Sequence, residues 1–76
     1  MAFKYRVVYD NGKPYEEKYN TYEELYEGLK NFYANNKESD YPFDAKVYDK
    51  KDKDITDSYI IEHMIADIME EVDKNG

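Results

Sequence analysis

The sequence predicts an α+β domain in which an antiparallel three-stranded sheet, ordered 2-1-3, carries two helices on one face. Apolar residues recur at every second position in three short segments and at helical spacing in two longer ones. Turn and cap signals separate these segments, which gives the order β-β-α-β-(β)-α along the chain. We interpret residues 1–76 as a single acidic domain. A β-grasp-like arrangement of the hairpin, first helix and third strand is the alternative.

The first two strands are predicted from alternation on either side of Asn11-Gly12, a turn signal. Only a loop with an odd number of residues puts the apolar sides of both strands on one face. We therefore predict a three-residue loop, Asp10 to Gly12, with Gly12 at positive φ. The expected pairs are Val7 with Tyr15, Phe3 with Tyr19 and Arg6 with Glu16.

The first helix is predicted from a capping box. Thr21 and Glu24 have the required spacing, so the helix begins at about Tyr22. Asn35-Asn36 ends it, and Gly28 lies off its apolar stripe. That stripe consists of Tyr22, Leu25, Tyr26, Leu29, Phe32 and Tyr33.

The remaining elements follow from the second half of the chain. Alternation around Ala45 predicts a third strand from Phe43 to Tyr48, and a charged turn follows it. Ile55 is expected to start a very short fourth strand. The second helix is capped by Thr56, Asp57 or Ser58. Its core stripe consists of Ile61, Met64, Ile65, Ile68 and Val72, flanked by Ile60 and Met69.

The charge of the chain is unevenly distributed. Residues 1–37 hold six acidic and six basic residues, whereas residues 38–76 hold twelve and five, so the whole net charge of −7 belongs to the second half. Such a field repels nucleic acid and anionic membranes and attracts a basic surface. The sequence has no cysteine, signal peptide or membrane-length apolar run, so we expect a cytoplasmic protein.

The usual catalytic and metal-binding patterns are not found in the sequence. His63 falls roughly opposite the core stripe of its helix, which makes it a solvent-facing residue. An EF-hand counted from Asp52 puts Asp57 where glycine is needed and His63 where glutamate is needed. The three glycines are isolated and form no phosphate loop. We therefore expect a protein that is not an enzyme and has no cofactor and no metal ion.

The candidate binding residues are tyrosines outside the predicted core and acidic residues of the second half. Tyr41 lies in a loop, Tyr48 on the outer side of its strand and Tyr59 off the stripe of the second helix. Exposed tyrosine among carboxylates is typical of a surface that binds a basic protein. The acidic candidates are Asp49, Asp52, Asp54, Asp57, Glu62, Asp67, Glu70 and Glu71.

These acidic residues and Asp73 belong to a short chain rich in Lys, Asn, Tyr and Ile, a bias that suggests an AT-rich coding sequence. In these respects the chain resembles small acidic phage and mobile-element inhibitors. Anti-CRISPR and anti-restriction proteins are the best-known examples. The resemblance covers the whole chain and rests on no motif, so it transfers no family residue. It implies an inhibitor that imitates nucleic acid and binds the basic, nucleic-acid-binding surface of a host protein. The alternative is a structural or regulatory module, such as a homodimer, whose acidity serves only solubility.

Overall fold

The computed structural model describes residues 3–38 and 42–74 of the chain. It has the predicted α+β architecture, with three strands and two helices. The elements are β1 (Tyr5–Asp10), β2 (Tyr15–Tyr19), α1 (Tyr22–Asn35), β3 (Asp44–Asp49) and α2 (Tyr59–Lys74).

The sheet has the predicted order β2-β1-β3, with β1 antiparallel to both neighbours. Val7 faces Val47 and Tyr9 faces Ala45, and all four side chains are buried. The same core contains the inner residues of both helices, so both helices cover one face of the sheet. The helical members of this core are Leu25, Leu29, Phe32, Ile61, Met64 and Ile68.

The hairpin has the predicted parity and the predicted positive φ of +108° at Gly12, but its register was predicted wrongly. Tyr9 pairs with Tyr15, which leaves five residues in the loop instead of three. Pro14 has no N–H for the ladder, so pairing begins only after it. The Tyr9 and Tyr15 rings also stack with centroids 5.1 Å apart. The predicted pairs of Val7 with Tyr15 and of Phe3 with Tyr19 are replaced by Val7 with Glu17 and Tyr5 with Tyr19.

The predicted capping box of α1 is confirmed. The Glu24 N–H donates to the Thr21 hydroxyl at 3.1 Å, and the Glu24 carboxylate accepts from the Thr21 N–H at 3.2 Å. At the other end Asn36, which is buried, donates through its side-chain amide to the Phe32 carbonyl at 2.8 Å. The helix is thus fixed at both ends by side chains.

Gly28 has a role that its position off the apolar stripe did not predict. The Tyr19 side chain crosses α1 at this residue, and a Cβ on Gly28 would lie 2.5 Å from the ring carbon Cζ of Tyr19. The Tyr19 hydroxyl is hydrogen-bonded to the Tyr9 hydroxyl at 2.7 Å. Burial, followed by this bond, raises the pKa of Tyr9 far above its ordinary value. Gly28 therefore makes room for the half-buried Tyr19, whose hydroxyl is bonded to that of the buried Tyr9.

The predicted fourth strand is reduced to a single bridge between Tyr48 and Asp54. The segment after β3 folds back along its edge, where the Ile55 N–H donates to the Val47 carbonyl at 2.8 Å. The Thr56 hydroxyl accepts from the Val47 N–H, also at 2.8 Å. Thr56 is therefore bound to β3, and Ser58 is the candidate whose hydroxyl accepts a bond from the first turn of α2, at 3.4 Å from the Ile61 nitrogen.

Candidate protein-binding surface

The turn after β3 is built by two of the candidate carboxylates. Asp49 accepts from the backbone N–H groups of Lys51 at 2.8 Å and Lys53 at 3.0 Å. Asp54 accepts from the Thr56 N–H at 2.9 Å. Hydrogen bonds from the Lys53 N–H and from Thr56 lower the pKa values of Asp49 and Asp54, respectively. Both residues therefore shape the turn and remain charged while doing so.

Asp52 and Tyr48 are held by Arg6, the only arginine of the chain. The Arg6 guanidinium lies 3.3 Å from carboxylate oxygens of both Asp52 and Glu16, and its Cζ lies 4.5 Å above the centre of the Tyr48 ring. The predicted cross-strand pair of Arg6 with Glu16 is wrong, because Lys18 is the residue opposite Arg6. The Arg6 side chain nevertheless reaches the Glu16 carboxylate on the neighbouring strand. This cluster occupies the face of the sheet that points away from the helices. Asp52 adopts φ of +63° within the turn.

The other acidic candidates lie on α2 and just before it, and all are exposed. Asp67 lies 3.9 Å from His63, whereas Glu70 and Glu71 lie 3.3 and 3.4 Å from Lys74 and Lys30. Exposed ion pairs of this kind hold their partners weakly, each contributing about 0–1 kcal/mol. Asp57 and Glu62 have no ion-pair partner within residues 3–38 and 42–74.

Tyr59 and Ile60 are the most exposed large apolar side chains of the described residues, at 79% and 62% of full exposure. Tyr59 contacts the His63 ring, with centroids 5.5 Å apart, one helical turn further on. Both are exposed in the first turn of α2, while the core stripe of the helix begins at Ile61. Tyr59 was among the predicted binding residues, whereas Ile60 was predicted only to flank the core stripe.

The structure thus divides the predicted binding residues into two groups. Tyr48 and Asp52 lie on the outer face of the sheet and are engaged by Arg6. Asp57 and Tyr59 lie with the helical acids on the other layer of the molecule. Tyr41 is outside the described residues.

The second group lies in the part of the chain where the acidic residues are most concentrated. Residues 54–73, which we call the acidic segment, hold seven acidic residues and neither lysine nor arginine. All seven are exposed. They are Asp54, Asp57, Glu62, Asp67, Glu70, Glu71 and Asp73.

Three further observations concern the described residues. Within the described parts of the chain, no three histidine or acidic side chains come close enough together to hold a metal ion. The His63 side chain is 63% exposed, as its position opposite the core stripe predicted. Neither described helix is long and apolar enough to cross a membrane.

Comparison with known proteins adds no relative. No family model, curated protein or solved structure matches the chain.

Proposed function

We propose that the protein acts by binding the basic, nucleic-acid-binding surface of another protein, in the manner of a small phage-type inhibitor of a host defence or DNA- or RNA-handling protein. The acidic segment carries this proposal, because seven exposed carboxylates along twenty residues without lysine or arginine favour a cationic partner. Carboxylates displayed along a rigid helix can occupy the positions that phosphates would take on such a surface.

The exposure of the acids supports a role in recognition. Of the seven, Glu70 and Glu71 lie within ion-pair distance of a lysine, and Asp67 lies 3.9 Å from the His63 ring. These contacts involve exposed side chains on the surface, so a partner could exchange them at small cost. The first half of the chain provides an internal contrast, because its acidic and basic residues balance.

The first test compares two variants with equal changes in net charge. Asp57→Asn, Glu62→Gln and Asp67→Asn together neutralise part of the acidic segment. Glu17→Gln, Glu23→Gln and Glu27→Gln together neutralise three exposed acids of the first half and serve as the matched control. Partners captured from a lysate of a low-GC bacterium are identified and purified, and their association rates are then measured with each variant.

We expect the first variant to slow association at least about tenfold at low salt and the control to change it far less. The wild-type rate should fall steeply from about 50 to 500 mM salt, because the Debye length shrinks severalfold. DNA or RNA should compete for the partner. A partner that ignored salt and both variants, and remained bound alongside nucleic acid, would contradict the proposal and favour the plain interaction module.

A further inference from the structure

The first turn of α2 exposes two adjacent apolar side chains, Tyr59 and Ile60, which we call the apolar pair. Both lie beside a helix stripe that is already complete, since Ile61, Met64 and Ile68 are at most 2% exposed. Apart from the contact of Tyr59 with His63, no aromatic contact is made by either residue within the described part of the chain. The fold does not use these side chains to build its core.

Carboxylates precede and follow the apolar pair along the chain. Asp57 precedes it by two residues, Glu62 follows it by two, and Asp67 lies two helical turns beyond Ile60 on the same flank. His63 is the only basic side chain within the acidic segment. An exposed apolar centre with a charged rim is the usual arrangement of a protein-binding surface.

The negative charge near the apolar pair indicates what kind of surface would bind there. A second copy of the chain bound through the apolar pair would bring the exposed carboxylates of the two copies close together, and such like charges oppose association. A basic surface would neutralise them. An apolar side chain on that surface would cover Tyr59 and Ile60, removing from water two groups that the monomer leaves exposed.

We propose that Tyr59 and Ile60 anchor the binding surface, and that the occupant is an apolar side chain bordered by lysine or arginine on the basic partner. This inference rests on the proposed function, because it locates within the acidic segment the contact that gives affinity beyond charge. Of the tyrosines that the sequence offered as binding residues, it keeps only the one in the first turn of α2. Tyr48, stacked beneath Arg6, is not part of it.

The test uses two synthetic helical peptides with equal numbers of lysines. One presents leucines along one face and the other presents glutamines at the same positions. Dissociation constants are measured by calorimetry for the wild type, for Tyr59→Ser with Ile60→Ser, and for Met69→Ser as the control. Met69 is 50% exposed and lies nine residues from Ile60, on the opposite side of the same helix.

We expect the leucine peptide to bind the wild type at least about tenfold more tightly than the glutamine peptide, the gain typical of an apolar anchor. The Tyr59→Ser, Ile60→Ser variant should lose this gain, and Met69→Ser should keep it. Backbone amide shifts on titration should concentrate around residues 57–67. Unchanged thermal melting of all three proteins establishes that the variants are folded.

Three results would overturn the anchor. The two peptides could bind the wild type equally, or the gain could survive in the double variant; salt-sensitive binding would then still support the proposed function. Sedimentation could instead show a wild-type dimer that Ile60→Ser dissociates, which would make a second copy the occupant. If neither peptide bound more tightly to the wild type than to the Asp57→Asn, Glu62→Gln, Asp67→Asn variant, the proposed function itself would fail.

Discussion

The two helices lie on the same face of the sheet and have similar lengths, but they use their surfaces differently. The sides of α1 that face the rest of the protein are packed: Leu25 and Leu29 lie in the core, and the Tyr19 ring lies against Gly28. In α2 a single stripe is buried, and the rest of its surface presents carboxylates and the apolar pair. The comparison shows how one helix can frame a small domain while the other displays a surface.

This division predicts different responses to mutation. Substitutions at several positions of α1 should lower the free energy of unfolding. One of these positions is Gly28, which lies off the apolar stripe. Truncating a side chain on the outer side of α2 should change the free energy of unfolding little, apart from any difference in helix propensity. The three predictions below test that contrast by equilibrium unfolding, from the largest expected effect to the smallest.

The largest effects are expected where both helices enter the common core. Leu29→Ala on α1 and Ile68→Ala on α2 remove fully buried side chains. Each should lower the free energy of unfolding by about 2–5 kcal/mol, a large part of the stability of a domain this small. Urea denaturation followed by far-UV circular dichroism measures both.

Ile60→Ala is the matched control for the core variants, since it truncates an aliphatic side chain that is 62% exposed. It should change the free energy of unfolding by less than about 0.5 kcal/mol. Ile65→Ala should fall between these limits, because Ile65 is half-buried against the core. A loss at Ile60 equal to that at Ile68 would show that the outer side of α2 is packed rather than displayed.

Gly28→Ala should have the second-largest effect on the free energy of unfolding. The sign of this effect should be opposite to the one that helix propensity predicts. Alanine improves an exposed helix by about 1 kcal/mol over glycine. Here the added methyl would overlap the Tyr19 side chain, whose hydroxyl is bonded to Tyr9. Overpacking typically costs about 1–3 kcal/mol, so we expect a net loss of stability.

The control for Gly28 is a double-mutant cycle with Tyr19→Ala. Without the Tyr19 ring, Gly28→Ala should become stabilising by up to about 1 kcal/mol, and the sign reversal identifies the contact. On α2 the exposed Ala66 makes the converse comparison, because Ala66→Gly should cost only the propensity difference of about 1 kcal/mol. If Gly28→Ala stabilised the otherwise wild-type protein, the Tyr19 ring could not lie as close to Gly28 as described.

The features that the sequence predicted well are those fixed by neighbours along the chain. The capping box depends on Thr21 and Glu24, three residues apart, and alternation located all three strands. The hairpin parity was also predictable, because it follows from which side of each strand is apolar. The loop length was not, since it depends on the stacking of Tyr9 with Tyr15 and on Pro14.

The candidate surface was predictable as charge but not as geometry. Composition alone identified the acidic half, whereas the separate roles of its carboxylates depend on contacts across the fold. Asp49 and Asp54 build a turn, and Asp52 is paired with Arg6, forty-six residues away. Ile60 was predicted to flank the core stripe, because helical spacing cannot distinguish a buried flank from an exposed one. Gly28 was missed for the same reason: Tyr19 reaches it through space.

The smallest effects are expected at the helix caps, where the two helices also differ. Thr21→Ala removes a hydroxyl that accepts from the Glu24 N–H at 3.1 Å within a complete capping box, and it should cost about 1 kcal/mol. Ser58→Ala removes a longer contact of 3.4 Å to the Ile61 N–H, and it should cost about 0.5 kcal/mol, near the low end for caps. Urea unfolding of each variant measures the loss, with Thr21→Ser and Ser58→Thr as controls that keep the hydroxyl. Amide exchange adds a local readout, because loss of a cap should speed exchange in the first turn of its own helix.

A larger loss at Ser58 than at Thr21 would mean that the first turn of α2, which carries Tyr59 and Ile60, is the more firmly held of the two. At that end of the molecule, α2 and not α1 would then be the helix that contributes more to the stability of the fold.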